Sequence, residues 1–119
     1  NARFLPDILN ICTTLKDTVI QTLEREEFPL VLGGDHSQAV GTISGIASHL
    51  KAQGKDLGVI WVDAHTDMNT PDTSPSGNVH GMPLSALLGH GHEGITFGRY
   101  GKRYLPERLV EAIEAISYS

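Results

Sequence analysis

The feature that most constrains the fold is a short apolar run that ends abruptly in polar side chains. Residues 59–62 (Val-Ile-Trp-Val) are typical of a β-strand buried on both faces of a parallel sheet. Asp63, His65 and Asp67 follow at its carboxyl end, where open α/β sheets bind their ligands. In an extended chain Asp63 and Asp67 would lie roughly 13 Å apart, at ~3.3 Å per residue. The backbone must therefore curl after the strand, or the site must hold more than one ion.

A second apolar run, residues 28–32, predicts another strand, which is closed by Gly33 and Gly34. The triplet Asp35-His36-Ser37 follows, and a helical pattern then continues to about Gln53, with Gly54 as its C-terminal cap. Asp35 or Ser37 could simply cap this helix. Strand, glycine turn, polar triplet and helix is also the way in which α/β folds build a site. A phosphate cradle is not favoured, because the Walker and Gly-x-Gly-x-x-Gly patterns are absent.

The two predicted strands and the helix between them form a right-handed βαβ crossover. His36 then follows one parallel strand, and residues 63–67 follow the next. Neighbouring strands lie about 4.8 Å apart, so these polar groups can converge at one edge of the sheet. We therefore predict an α/β fold in which a parallel sheet is flanked by helices.

Three further helices are predicted from apolar periodicity, over residues 5–26, 83–88 and 106–117. Pro6 suits the first turn of the first helix, which we expect to pack on the sheet. The glycine-rich stretch 89–94 contains two histidines, but its flexibility argues against metal ligation.

Composition limits the class of protein. The 119 residues suffice for one domain, and 9 basic against 14 acidic residues give a formal charge of −5, which argues against nucleic-acid binding. No apolar run reaches the ~18 residues of a membrane span. The single cysteine, Cys12, suits a reducing compartment. Two strands are too few for a complete sheet, so we expect residues 1–119 to be one domain that is incomplete at both ends.

Two imidazoles and two carboxylates, those of His36, Asp63, His65 and Asp67, suit a divalent transition ion. Two cations at ~3.5–4 Å would lower the pKa of a bridging water. Such a pair needs more ligands than these four side chains supply, and no later Asp-x-Asp pair follows. The sequence therefore predicts part of a metal site.

Residues 66–79 are almost all polar or turn-forming, which is typical of a functional loop or of a solvated surface loop. His80 ends this loop. Imidazole exchanges protons near neutral pH, so His80 is a candidate general acid–base, although a histidine at a helix start can also be structural.

Three segments together resemble the ureohydrolase family, and the arginases in particular. They are Gly33-Gly34-Asp35-His36-Ser37, Asp63-Ala64-His65-Thr66-Asp67, and the loop that contains Asn69-Thr70-Pro71 and Ser76-Gly77-Asn78-Val79-His80-Gly81. The resemblance implies a three-layer α/β/α fold, of which this chain carries part of the sheet. It also implies two Mn²⁺ ions, with hydrolysis of L-arginine to L-ornithine and urea by a metal-bridging hydroxide.

The resemblance further implies a role for each matching residue. His36 would bind one manganese and His65 the other, while Asp63 would bridge both ions. Asp67 would bind the first ion and hold the hydroxide, and His80 would shuttle protons. The residues expected to hold the substrate are Asn69, Ser74, Ser76 and Asn78.

The family's second carboxylate cluster does not occur in this chain. We therefore expect the whole protein to be active and this chain alone to be inactive, with at most weak binding of one ion. The resemblance implies a cytoplasmic homo-oligomer, a trimer or hexamer, with L-arginine as its small-molecule partner. Two alternatives remain open: agmatinase or another guanidino-hydrolase, and a non-catalytic metal-binding fragment.

Overall fold

Two packed helices organise the part of the chain that the computed structural model describes, residues 2–90. Helix α1 spans Leu5–Glu24 and helix α2 spans Gln38–Ala52. A 3₁₀ turn at Val79–Gly81 leads into the short helix α3, Pro83–Leu87. The predictions for residues 91–94 and 106–117 lie outside the described residues.

The helix predictions are confirmed within a few residues. Pro6 lies in the first turn of α1, as its missing N–H favours. At the end of α2, Gly54 has φ 68° and donates its N–H to Lys51 O at 2.9 Å. Lys55 N donates to Leu50 O at 3.0 Å, which completes a Schellman cap around the predicted glycine.

Helix α1 packs against α2, where we had expected it to pack on a sheet. The close approach depends on two glycines one turn apart in α2, Gly41 and Gly45, both buried. A Cβ on Gly41 would lie 2.5 Å from Cys12 O, and one on Gly45 would lie 2.8 Å from Lys16 O. Since no side chain fits between the backbones there, α2 presents its glycines to α1.

The core joins all four elements. Cys12 of α1, Val40 of α2, Val79 of the 3₁₀ turn and Ala86 of α3 form one buried cluster. Cys12 is 2% exposed, as expected for a small buried helix residue, and its thiol donates to Ser37 O at 3.3 Å. The segment that carries His80 is thereby packed against the two long helices.

The two predicted strands are not formed as hydrogen-bonded strands in residues 2–90. Segments 28–32 and 57–62 nevertheless alternate in exposure with a period of two, as in an extended chain. One set of side chains is half-buried, and the other is open to solvent: Phe28, Leu30, Leu32, Ile60 and Val62 are each 73–92% exposed. We call these five side chains the open apolar face. The prediction that both faces are buried is wrong for the described part of the chain, because no described segment covers this side.

Within residues 2–90 there is no helix whose length and apolar content would allow it to cross a bilayer.

Candidate metal centre

His36 is placed by the turn that precedes α2. Gly33 and Gly34 both adopt positive φ, 106° and 61°, which glycine tolerates and other residues rarely adopt. Asp35 Oδ1 accepts hydrogen bonds from Ser37 N at 2.9 Å and from Ser37 Oγ at 2.5 Å. The Ser37 hydroxyl is the main reason that the pKa of Asp35 is lowered. The side chain of Ser37 makes no capping bond to α2, so Asp35 shapes the turn that presents His36.

The chain curls after residue 62, which is one of the two arrangements that the spacing of Asp63 and Asp67 left open. Asp63 Oδ1 accepts the backbone N–H of His65 at 2.9 Å, which closes a tight turn. Asp67 then adopts a left-handed backbone with φ 51°, an uncommon conformation for a non-glycine residue. This path turns Asp67 back towards Asp63.

Three of the four predicted ligands converge. His36 Nδ1 lies 2.7 Å from Asp63 Oδ2 and 2.9 Å from Asp67 Oδ2. One ligand atom from each of the three side chains lies within 4.8 Å of the other two. His36, Asp63 and Asp67 are called the metal-ligand cluster below.

The fourth predicted ligand, His65, lies at the edge of this cluster. Its side chain is 82% exposed, and its Nδ1 is 3.4 Å from Asp63 Oδ1. Asp63 therefore has one carboxylate oxygen near each histidine, although His65 is not grouped with the other three residues.

The two carboxylates have different environments. The Asp67 side chain is 7% exposed, and burial, followed by the nearby charge of Asp63, raises its pKa. The Asp63 side chain is 10% exposed, while its backbone is open to solvent. The hydrogen bond from His65 N is the main cause of the lowered pKa of Asp63. Two carboxylates held close together, one of them with a raised pKa, favour the binding of a cation.

The His36 ring also contacts Trp61, with ring centroids 5.1 Å apart and an edge-on angle of 62°. A cavity of about 270 Å³ lies beside these two rings, and Val31, Ala39 and Ile43 contribute to its wall. Gln38 and Thr42 add polar groups to the same wall. The polar segment that follows Asp67 is a better place for a polar ligand.

The predicted substrate loop is held together by its own hydroxyls. Thr73 Oγ1 donates to Asn69 Oδ1 at 3.2 Å. Ser74 Oγ accepts Gly77 N at 3.0 Å, and Ser76 Oγ accepts Asn78 N at 3.2 Å. A serine hydroxyl that accepts a backbone N–H can still donate its own proton to an anion.

His80 lies on the 3₁₀ turn and is exposed. Its charge contributes to the lowered pKa of Asp35, after the Ser37 hydrogen bonds. His80 makes no direct bond to His36, Asp63 or Asp67 among the described hydrogen bonds.

Hydrogen bonds from the 3₁₀ turn and α3 hold the start of the polar loop, and the sequence did not predict them. Leu84 N donates to Asp67 O at 3.1 Å, and Asn69 N donates to Gly81 O at 3.0 Å. Ser85, 2% exposed, donates its hydroxyl to Asn69 O at 2.7 Å. The only sequence signal for Ser85 was a hydroxyl among the leucines of a predicted short helix.

The packed helices of residues 2–90 and the metal-ligand cluster define a protein with a candidate divalent-metal centre beside a polar loop. A model of the arginase family matches residues 1–117. The arginase of Bacillus caldovelox is 55% identical over 97 residues, which are 81% of this chain and 31% of that protein. The arginase of Brevibacillus brevis is 49% identical over 111 residues, 92% of this chain and 36% of that protein.

A crystal structure of arginase from Bacillus cereus has a TM-score of 0.79 to this chain, with 44% sequence identity. It covers 96% of this chain, which corresponds to 43% of the Bacillus cereus chain. This chain belongs to the arginase family. The resemblance inferred from the three motifs is therefore confirmed. The chain spans about a third of the length of the curated relatives it matches, 31% and 36%.

Proposed function

We propose that the whole protein hydrolyses L-arginine to L-ornithine and urea and depends on Mn²⁺. The observation that carries this proposal is the convergence of His36, Asp63 and Asp67 within 4.8 Å, at the start of a polar loop, in a chain of the arginase family. The same loop supplies donors for the amino-acid end of a substrate.

The residues present fit a divalent ion. One imidazole nitrogen and two carboxylate oxygens are ligands that manganese and related ions accept. A cation would also offset the repulsion between Asp63 and Asp67, which contributes to the raised pKa of Asp67. His65 adds a second imidazole beside Asp63, and we propose that it serves a second ion. When bound, two such ions supply Lewis acidity that makes a water molecule a nucleophile near neutral pH.

Side chains of this chain would orient the attacking water and transfer the proton. The Asp67 carboxylate is buried beside His36 Nδ1, and we propose that it orients the attacking water as well as binding an ion. His80 is exposed at the end of the polar loop, and we propose that it passes a proton to the departing amine. Proton transfer of this kind contributes typically ~10²–10⁴-fold to a rate.

We propose that the polar loop binds the α-carboxylate and α-amino group of arginine. Ser76 is exposed and Ser74 is half-buried, and both accept a loop N–H while retaining a hydroxyl proton for a carboxylate. Asn69 and Asn78 add amide donors at the two ends of the loop. Selection of an amino-acid end would distinguish arginine from agmatine, which lacks the carboxylate.

Several broader expectations belong to the same proposal. We propose that the sheet lies within a three-layer α/β/α arrangement, that the protein assembles as a homo-oligomer, and that it acts in the cytoplasm. The buried thiol of Cys12 is compatible with the reducing conditions there.

A second function applies to the 119-residue chain by itself. The metal-ligand cluster offers three side chains, fewer than a complete two-ion site requires, which favours weak binding of a single ion without turnover. Calorimetric titration of the chain with Mn²⁺ tests this expectation. Binding of two ions per chain, or release of urea from arginine, would contradict it.

The proposed activity is tested with the whole protein. It is stripped of metal with a chelator and reloaded with Mn²⁺, and urea is measured with L-arginine, agmatine and other guanidino compounds. We expect urea from L-arginine, dependent on reloading. Urea from agmatine but not from arginine would refute the arginase assignment and would favour another guanidino-hydrolase.

A further inference from the structure

Ser85 makes a buried hydroxyl contact that the proposed chemistry does not use. Its side chain lies in α3 and is 2% exposed, and Oγ is 2.7 Å from the backbone oxygen of Asn69, sixteen residues earlier. Burying a hydroxyl without a partner is unfavourable, so a serine at such a position must gain from its hydrogen bond.

The hydroxyl is not needed for the helix itself. Met82 O, 3.0 Å from Ser85 Oγ, accepts Ala86 N at 3.0 Å, so the helical hydrogen bond is made without the hydroxyl. The hydroxyl has one proton to donate, and Asn69 O at 2.7 Å is the nearer of its two acceptors. Alanine has a higher helix propensity than serine. The contact with Asn69 is therefore the specific contribution of the Ser85 hydroxyl.

Three hydrogen bonds hold Asn69 in place. Its N–H donates to Gly81 O at 3.0 Å, its C=O accepts the Ser85 hydroxyl, and its side-chain oxygen accepts Thr73 Oγ1 at 3.2 Å. Two residues earlier, Asp67 O accepts Leu84 N at 3.1 Å. Both ends of the segment from Asp67 to Asn69 are thus hydrogen-bonded to the 3₁₀ turn or to α3.

External contacts are required here because Asp67 has a left-handed backbone, φ 51°. Such a conformation persists in a non-glycine residue only when its surroundings hold it. Leu84 N holds the carbonyl of Asp67 itself, whereas Ser85 acts on the residue at which the substrate loop begins.

We infer that Ser85 is a positioning residue for substrate binding: its hydroxyl fixes the backbone of Asn69, so that the Asn69 amide meets the amino-acid end of the substrate. This inference rests on the proposed function. Ser85 has no contact with His36, Asp63 or Asp67 in the described hydrogen bonds, so it should affect substrate affinity and leave metal binding unchanged.

The test compares Ser85→Ala with Ser85→Thr in the whole, Mn²⁺-loaded protein. We expect Ser85→Ala to raise KM for L-arginine and Kd for L-ornithine about tenfold, the ratio that corresponds to one hydrogen bond. We expect kcat to change less than about threefold and manganese content to stay the same. Ser85→Thr keeps the hydroxyl and should retain both constants near their original values.

Two controls separate positioning from general damage. Ser48→Ala removes a hydroxyl from the middle of α2 and should change neither constant. Hydrogen exchange measured by mass spectrometry should speed up in peptides covering residues 67–70 of Ser85→Ala, and not in Ser85→Thr.

Unchanged KM and Kd in Ser85→Ala would overturn the inference, and so would an equal loss in Ser85→Ala and Ser85→Thr, which would indicate packing alone. Loss of manganese in Ser85→Ala would also overturn it. Failure of the proposed function has a different signature, since the unsubstituted protein would then release no urea from arginine. Hydrogen exchange needs neither turnover nor a ligand, so it tests the contact between Ser85 and Asn69 in either case.

Discussion

The contact between α1 and α2 yields a stability prediction that follows from distances alone. In Gly41→Ala the new Cβ would lie 2.5 Å from Cys12 O and 3.0 Å from Cys12 Cα. These are backbone atoms of a helix, so they cannot rotate aside as a side chain would. The two helices must separate by at least about 0.5 Å for that contact to reach even the short end of normal packing.

Two opposing effects set the change in the free energy of unfolding that we expect for Gly41→Ala. Replacing glycine with alanine inside a helix stabilises it by about 1 kcal/mol. Overpacking a tight core contact typically costs about 1–3 kcal/mol, and an immovable neighbour favours the upper end. We therefore expect Gly41→Ala to lower the free energy of unfolding by about 1–2 kcal/mol. Gly45→Ala should lower it by less, since its closest contact is 2.8 Å.

Urea unfolding of the whole protein, followed by circular dichroism, measures this change. Gly58→Ala is the control for the residue change itself, because a Cβ at Gly58 would meet nothing within 4 Å among residues 2–90. It should unfold at the same urea concentration as the unsubstituted protein. If Gly41→Ala proves as stable as Gly58→Ala, or more stable, helix propensity outweighs the contact and the close packing of α1 on α2 is incorrect.

Three further predictions concern the site and the core. Asp63→Asn should remove most manganese-dependent activity while the helical signal in circular dichroism persists, and near-normal turnover would show that the Asp63 carboxylate is dispensable. His80→Ala should leave the metal content unchanged, as measured by atomic emission, and slow turnover by ~10²–10⁴-fold; loss of metal would instead make His80 a ligand. The Cys12 thiol has a pKa raised chiefly by burial, so little reactive thiolate forms near neutral pH. A maleimide should label Cys12 slowly in the folded protein and rapidly in urea, and fast labelling of folded protein would contradict the burial of Cys12.

Local features were predictable because they depend on neighbouring residues. The period of α1 and the glycine that ends α2 are both visible in the sequence, and the structure has them at Leu5–Glu24 and Gly54. A length argument showed that two carboxylates ~13 Å apart cannot share an ion, which left either a curl after Asp63 or more than one ion. The structure has the curl.

Features that depend on distant partners were not predictable. Gly41 and Gly45 look like ordinary small helix residues until α1 is placed against them. The role of Ser85 depends on a carbonyl sixteen residues away, and no periodicity encodes that contact. The motifs identified four candidate ligands. The structure groups three of them, and the fourth, His65, lies at the edge of that group.

The open apolar face has a consequence for how the protein must be handled. Phe28, Leu30, Leu32, Ile60 and Val62 lie on extended segments whose backbone groups are not paired in a ladder within residues 2–90. Extended, apolar and unpaired segments are templates on which a second copy can add a strand. Refolding therefore becomes a competition between covering this face within one molecule and joining it to another. The rate constant for covering the face within one molecule does not depend on protein concentration, whereas association with a second molecule becomes faster as the concentration rises. Dilution should therefore favour the native protein.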